Sequence, residues 1–177
     1  MRVAINGFGR IGKLVLRAYL ERKIKNIKVI AINDIGSLES SQHLLQYDSV
    51  HGILPFKIKK NKNGLEYNGN KIQFFSEFNP KDLPWNNLKI DLVLECSGVF
   101  TSREKASEHL KAGAKKIIIS APAKNIDATI VQGVNNKILN KSHNIISNGS
   151  CTTNCLAPVA MILDKKFGIE SGFMTTI

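Results

Sequence analysis

The apolar run Arg2-Val-Ala-Ile-Asn6, followed at once by Gly7-x-Gly9-x-x-Gly12, constrains this chain more than any other stretch. A short strand ending in glycines at this spacing and running into a helix opens a strand–helix–strand unit. The first glycine permits the tight turn, the second lets the backbone approach a pyrophosphate, and the third allows close helix–strand packing. From about Ile11 to Arg22 the residues Ile11, Leu14, Val15, Ala18 and Tyr19 fall on one helical face. The start of that helix offers free N–H groups and a positive dipole end to phosphates. Lys28-Val-Ile-Ala-Ile32 is the next buried strand, and Asn33-Asp34 closes it. A carboxylate at Asp34 can accept hydrogen bonds from the adenosine ribose hydroxyls and would repel a 2′-phosphate, which favours NAD over NADP.

Beyond this unit, a helix is expected over about Leu38 to Gln46 with Ser37 as its cap. Phe56 and Ile58, then Ile72 and Phe74, separated by Asn63-Gly64 and Asn68-Gly69, suggest a small antiparallel excursion. Asp91 to Cys96, Lys116 to Ala121, Ala128 to Val131 and Asn144 to Ser147 read as further strands, and Ser102 to Ala112 as a capped helix. This alternation predicts an α/β fold with a mostly parallel, doubly wound sheet. Cys151 to Phe167 forms a strong helix with Leu156, Val159, Ala160, Leu163 and Phe167 on one side, and Gly172 to Ile177 begins another strand.

Bulk properties narrow the class. A content of 43% hydrophobic and 22% charged residues is globular, and the apolar runs are strand-sized rather than the roughly 20 residues of a membrane span. No signal-peptide pattern is present, so a cytoplasmic location is expected. The net charge of +11 raises nucleic acid as a partner, but the lysines are scattered apart from Lys57, Lys59, Lys60 and Lys62. A basic surface that attracts anionic cofactor and substrate is the preferred reading. Three cysteines, Cys96, Cys151 and Cys155, point to free thiols, and no Cys or His spacing suggests zinc.

The second chemical constellation is Ser147-Asn-Gly-Ser-Cys-Thr-Thr-Asn-Cys-Leu-Ala157. Cys151 falls in the first turn of the strong helix among polar residues, where helix N–H groups favour the thiolate that attacks carbonyls. Cys155, one turn further in, is expected to be buried.

With these residues stand Tyr47-Asp-Ser-Val-His-Gly52, Glu95-Cys-Ser-Gly-Val-Phe-Thr101, Ser120-Ala-Pro122 and Ser150-Cys-Thr-Thr-Asn-Cys-Leu-Ala-Pro158. In this order, and over nearly the whole chain, they resemble the glyceraldehyde-3-phosphate dehydrogenase family. The resemblance implies a Rossmann-type domain over residues 1–150 that binds NAD through Gly7, Gly9, Arg10, Ile11, Gly12, Asp34 and Ser120. Residues 151–177 would begin the second, catalytic domain, almost entirely missing here. Cys151 is similar to the nucleophile that forms a thiohemiacetal and then a thioester with glyceraldehyde 3-phosphate. Inorganic phosphate would release 1,3-bisphosphoglycerate, with Ser150 and Thr152 helping to hold substrate or phosphate. Intact relatives are expected to be homotetramers.

Three departures from the family pattern stand out. Gly149 replaces the usual Ala before Ser-Cys, and Phe78 takes the place of an Arg that supports the adenine. The histidine that follows Thr-Thr-Ile in the family lies beyond Ile177, so this chain is expected to bind NAD and be inactive. His43, His51, His109 and His143 do not match it. An erythrose-4-phosphate dehydrogenase, or a non-enzymatic nucleotide- or RNA-binding module, are the alternatives.

Overall fold

The computed structural model describes residues 1–176. Strand β1 (Arg2–Asn6) leads into helix α1 (Arg10–Glu21), β2 (Lys28–Asn33) and α2 (Leu38–Gln46). A two-stranded ribbon follows, β3 (Tyr47–Asp48) against β4 (Gly52–Ile53). Next come β5 (Lys59–Asn61), β6 (Gly64–Tyr67), β7 (Asn70–Phe75), β8 (Leu92–Glu95), α3 (Arg103–Lys111) and β9 (Lys116–Ile119). Finally β10 (Ala128–Thr129) and β11 (Ile145–Ser147) precede α4 (Cys151–Phe167).

Nine strands form one sheet in the order β10-β11-β9-β8-β1-β2-β7-β6-β5. Strand β1 pairs in parallel with β2 on one side and β8 on the other. The chain winds outward from β1 in one direction and then returns to build the other half. The gap between β1 and β8 is therefore a topological switch point, where ligands of such sheets bind at the carboxyl ends of the strands. The antiparallel excursion is confined to β5, β6 and β7, with a two-residue turn at Asn68-Gly69. Strand β7 also joins β2 in parallel, so the excursion widens the main sheet. Phe56 and Ile58 precede β5 instead of lying in a strand. Ile58 is buried, and Phe56 packs edge-on to Tyr67 at 5.2 Å, which fixes them by side-chain contact rather than by a ladder.

Residues alternate across the sheet, and both faces are covered, as parallel strands require. Ala4, Ala31, Val93, Ile117 and Ile145 meet Trp85, Ile90 and Ala106 on one side. Ile5 and Ile32 meet Leu16 and Leu20 of α1 and Leu45 of α2 on the other. Each fully buried aliphatic side chain contributes about 1.5–3 kcal/mol. Ser37 caps α2 by accepting from Ser40 N at 3.1 Å, and Ser102 caps α3 by accepting from Lys105 N at 3.3 Å.

The C-terminal part differs from the sequence reading in two respects. The apolar side of α4 is not packed: Leu156, Val159, Leu163 and Phe167 are exposed, and so is Cys155. An apolar stripe is buried only where another element lies along it, and no strand or helix among the described residues does so for α4. Residues 172–176 form no strand, because a strand exists only through its ladder and none is offered to them; Ile177 lies outside the described residues.

Candidate functional site

The seven residues expected at a cofactor, and the cysteine expected to be a nucleophile, all follow strands at the carboxyl edge of the sheet. Gly7 to Gly12 follow β1, Asp34 follows β2, Ser120 follows β9, and Ser150 and Cys151 follow β11. Backbone bonds tie these ends together. Gly7 N donates to Asn33 O at 2.8 Å, Ser120 N to Glu95 O at 2.9 Å, and Asn148 N to Ile119 O at 2.9 Å.

The three glycines meet different surroundings. Gly7 has φ +86°, and a Cβ there would overlap the Ser97 backbone, standing 2.7 Å from the Cys96 carbonyl carbon. A Cβ at Gly12 would overlap the Gly7 carbonyl oxygen and stand 3.2 Å from Ile5 Cγ2. A Cβ at Gly9 would meet nothing within 4 Å. Gly7 and Gly12 are thus required by the chain's own packing, whereas Gly9 opens onto free space. That space lies at the start of α1, whose first turn has neither a side-chain cap nor an acidic residue. The first N–H groups of α1 point there without an intrahelical partner. An open cradle against free donors and a helix dipole fits the pyrophosphate of a dinucleotide.

Asp34 sits beside this cradle. One carboxylate oxygen accepts from Phe8 N and the other from Gly36 N at 2.7 Å, so backbone amides orient the side chain. Lys13, which the sequence pattern did not single out, lies across the turn, with its ammonium donating to the Phe8 carbonyl and 5.0 Å above the Phe8 ring. Partial burial lowers its pKa below the usual lysine value, opposed by the nearby Asp34 charge. Arg10 occupies the first position of α1 and turns its guanidinium to Asp48. The Asp48 carboxyl is pulled down to about 2, mainly by the N–H groups of His51 and Val50, with Arg10 adding to them. The Tyr47 to Gly52 loop is thereby fastened to the start of α1. Phe78 is 80% exposed, one residue beyond Glu77, whose backbone N and O both bond the Asn33 side chain.

Helix α4 builds the other half of the site. Ser150 is its N-cap and accepts from Thr153 N at 2.9 Å, while its hydroxyl lies 2.9 Å from that of Thr152. Asn154 Nδ2 donates to Asn148 O at 2.6 Å and Ser150 O at 2.9 Å, bracing the turn. Gly149 has φ +70° within this turn, and a Cβ there would stand 3.4 Å from Thr153 Cγ2. Cys151 is exposed at the first helical residue. Cys96 is its opposite: burial pushes the thiol up to about 11, partly offset by a hydrogen bond with Ser120. Little of Cys96 is thus thiolate near neutral pH. Iodoacetamide is therefore expected to label Cys151 first, Cys155 more slowly and Cys96 last, as read by peptide mass spectrometry. Preferential labelling of Cys155 contradicts a special role for the helix start.

Residues 1–103 match the family model described as glyceraldehyde 3-phosphate dehydrogenase, NAD binding domain, and residues 150–177 match its C-terminal domain. The chain is 53% identical to the glyceraldehyde-3-phosphate dehydrogenase of Pseudomonas aeruginosa over all of its own length and 53% of that protein. It is 53% identical to that of Thermotoga maritima, over 99% of this chain and 53% of the relative, and 53% identical to that of Geobacillus stearothermophilus, over 100% and 52%. The chain spans about half the length of these curated relatives. No helix among the described residues is long and apolar enough to cross a membrane. With an open glycine turn, an oriented carboxylate and an exposed helix-start cysteine at one sheet edge, and the family's NAD-binding model over its first 103 residues, the chain belongs to the glyceraldehyde-3-phosphate dehydrogenase family.

Proposed function

We propose that the full-length protein carrying this sequence oxidises and phosphorylates glyceraldehyde 3-phosphate to 1,3-bisphosphoglycerate with NAD, through a thioester on Cys151. The exposure of Cys151 at the first residue of α4, at the same sheet edge as the open glycine turn, carries this reading. Residues 1–150 form the dinucleotide domain, and residues 151–177 begin the catalytic one. The start of α1, with Gly7, Gly9, Arg10, Ile11 and Gly12, holds the pyrophosphate, Asp34 the adenosine ribose and Ser120 the nicotinamide ribose. Bound there, NAD supplies the hydride acceptor that converts the Cys151 adduct into a thioester.

The chain's own residues carry the rest. Cys151 Sγ attacks the aldehyde carbon to give a thiohemiacetal, whose oxyanion lies within reach of N–H donors at the start of α4. Ser150 and Thr152 hold substrate or attacking phosphate. Attack by inorganic phosphate on the thioester breaks the C–S bond and returns the thiolate. Among the described residues no histidine hydrogen-bonds to Cys151; His109 is buried against Trp85 and Glu95, and His143 bonds Asn140. The 177-residue chain alone is therefore expected to turn over at least about 10²-fold more slowly than the full-length protein, which a stopped assay on both proteins checks. Homotetrameric assembly and a cytoplasmic location complete the proposal.

Assaying the full-length protein with glyceraldehyde 3-phosphate and erythrose 4-phosphate tests the substrate, since a preference for the four-carbon sugar overturns it. Asp34→Ala is expected to weaken NAD binding by about tenfold and to narrow the gap between NAD and NADP. Calorimetry showing unchanged affinity in that variant removes Asp34 from the ribose.

A further inference from the structure

Beneath the crevice runs a buried hydrogen-bond chain that the proposed chemistry leaves unused. Glu95, the last residue of β8, is 1% exposed and forms no ion pair with Lys or Arg among the described residues. Donors alone hold its carboxylate. Oε2 accepts from Asn6 Nδ2 at 2.6 Å and from His109 Nε2 at 2.9 Å. Oε1 accepts from Ser97 N at 2.8 Å and from the Ser97 hydroxyl. Trp85 decides the role of His109: an indole N–H can only donate, and it reaches His109 Nδ1 at 3.0 Å. The proton shared with Glu95 therefore sits on Nε2. On the other flank Asn33 Nδ2 donates to Asn6 Oδ1 at 2.8 Å, and the same amide bonds both N and O of Glu77. The chain crosses the ends of β8, β1 and β2 and reaches the loop after β7, with its donors directed toward one carboxylate.

The location gives this arrangement a task. The Gly7 turn packs against Ser97 with no room for a Cβ, and these two turns wall the switch point between β1 and β8. Glu95 holds Ser97 from below and also Asn6, the residue before Gly7. A buried charge without a cationic partner also acts over distances at which an exposed one is screened.

We propose that Glu95 is a positioning residue for the dinucleotide, and that its buried carboxylate, oriented by His109 and Trp85, sets the spacing of the two turns and favours the oxidised cofactor, whose nicotinamide ring is positively charged, over the reduced one. This rests on the NAD reading above. Calorimetry on the full-length protein with NAD⁺ and NADH separately tests it, using Glu95→Gln, Trp85→Phe and the double variant. Glu95→Gln is expected to weaken NAD⁺ by about tenfold and NADH by about threefold or less. Trp85→Phe keeps an aromatic side chain but is smaller than the buried indole and removes its N–H; it is expected to lower thermal stability, to weaken NAD⁺ more than NADH by smaller factors than Glu95→Gln, and to add nothing to the affinity loss in the Glu95→Gln background. A merely structural network lowers thermal stability and weakens both cofactor forms equally, and that outcome overturns the proposal. So does an unchanged NAD⁺ to NADH ratio in Trp85→Phe, the variant that decides the matter if Glu95→Gln does not fold. If the unmutated protein binds neither form, the NAD reading itself fails; if it binds NAD through Asp34 and the ratio stays fixed, only Glu95 loses its role.

Discussion

Replacing Cys151 by alanine in the full-length protein is expected to lower phosphorylating turnover by about 10⁴-fold or more. The argument rests on position as much as on residue type. Cys151 is the first helical residue of α4, exposed, beside a Ser150 cap whose hydroxyl is already committed to Thr153 N. Neither other cysteine of this chain is placed to substitute: Cys96 is half-buried with its thiol pKa pushed up by desolvation, and Cys155 lies one turn further along the helix. NAD binding should change by no more than about twofold, because the glycine turn and Asp34 belong to different strands. Steady-state rates with calorimetric affinities check both parts. A variant retaining more than about a hundredth of the activity removes Cys151 from the chemistry.

The second large effect separates the three glycines of the turn. Gly7→Ala places a methyl on the Ser97 backbone at a residue with φ +86°, so strain and overlap act together. A loss of about 3 kcal/mol or more is expected, roughly 10 °C in Tm for a domain of this size. Gly12→Ala meets the Gly7 carbonyl oxygen and is expected to act similarly. Gly9→Ala adds its methyl to open space at a residue with φ −74°, and the unliganded fold should keep its stability within about 1 kcal/mol. The same methyl intrudes where a pyrophosphate would lie, so NAD affinity should fall at least about tenfold. Thermal melts and calorimetry on the three variants distinguish these outcomes. Equal stability losses in all three would mean that the turn serves only the fold, and unchanged NAD affinity in Gly9→Ala would place the cofactor elsewhere.

The sequence alone made much of this legible where local rules decide. The Ser37 and Ser102 caps, the span of α4 from Cys151 to Phe167 and the Asn68-Gly69 turn each follow from a residue type at a fixed offset. The sequence was less informative where distant partners decide. A helical apolar stripe states that something should cover α4, but no described element does, so Cys155 and its neighbours stand exposed. The tie between Arg10 and Asp48 links residues 38 apart, and those between Glu95 and Asn6 or His109 link residues 89 and 14 apart. No local spacing announces such contacts. The one available signal was a glutamate closing the apolar run Leu92-Val-Leu at a sheet edge, where an ionised side chain must find donors. His109 read as an ordinary helical histidine, because its partner Trp85 reaches it from a loop ahead of β8.

The most direct test of the central claim is to trap the acyl group. Full-length protein mixed with glyceraldehyde 3-phosphate and NAD in the absence of inorganic phosphate, quenched in acid, digested and sequenced by fragmentation to separate Cys151 from Cys155, should show a phosphoglyceroyl thioester on Cys151 and nowhere else, and added phosphate should discharge it. An acyl group found on Cys96 or Cys155, or NAD reduction with no acylated cysteine at all, contradicts the account.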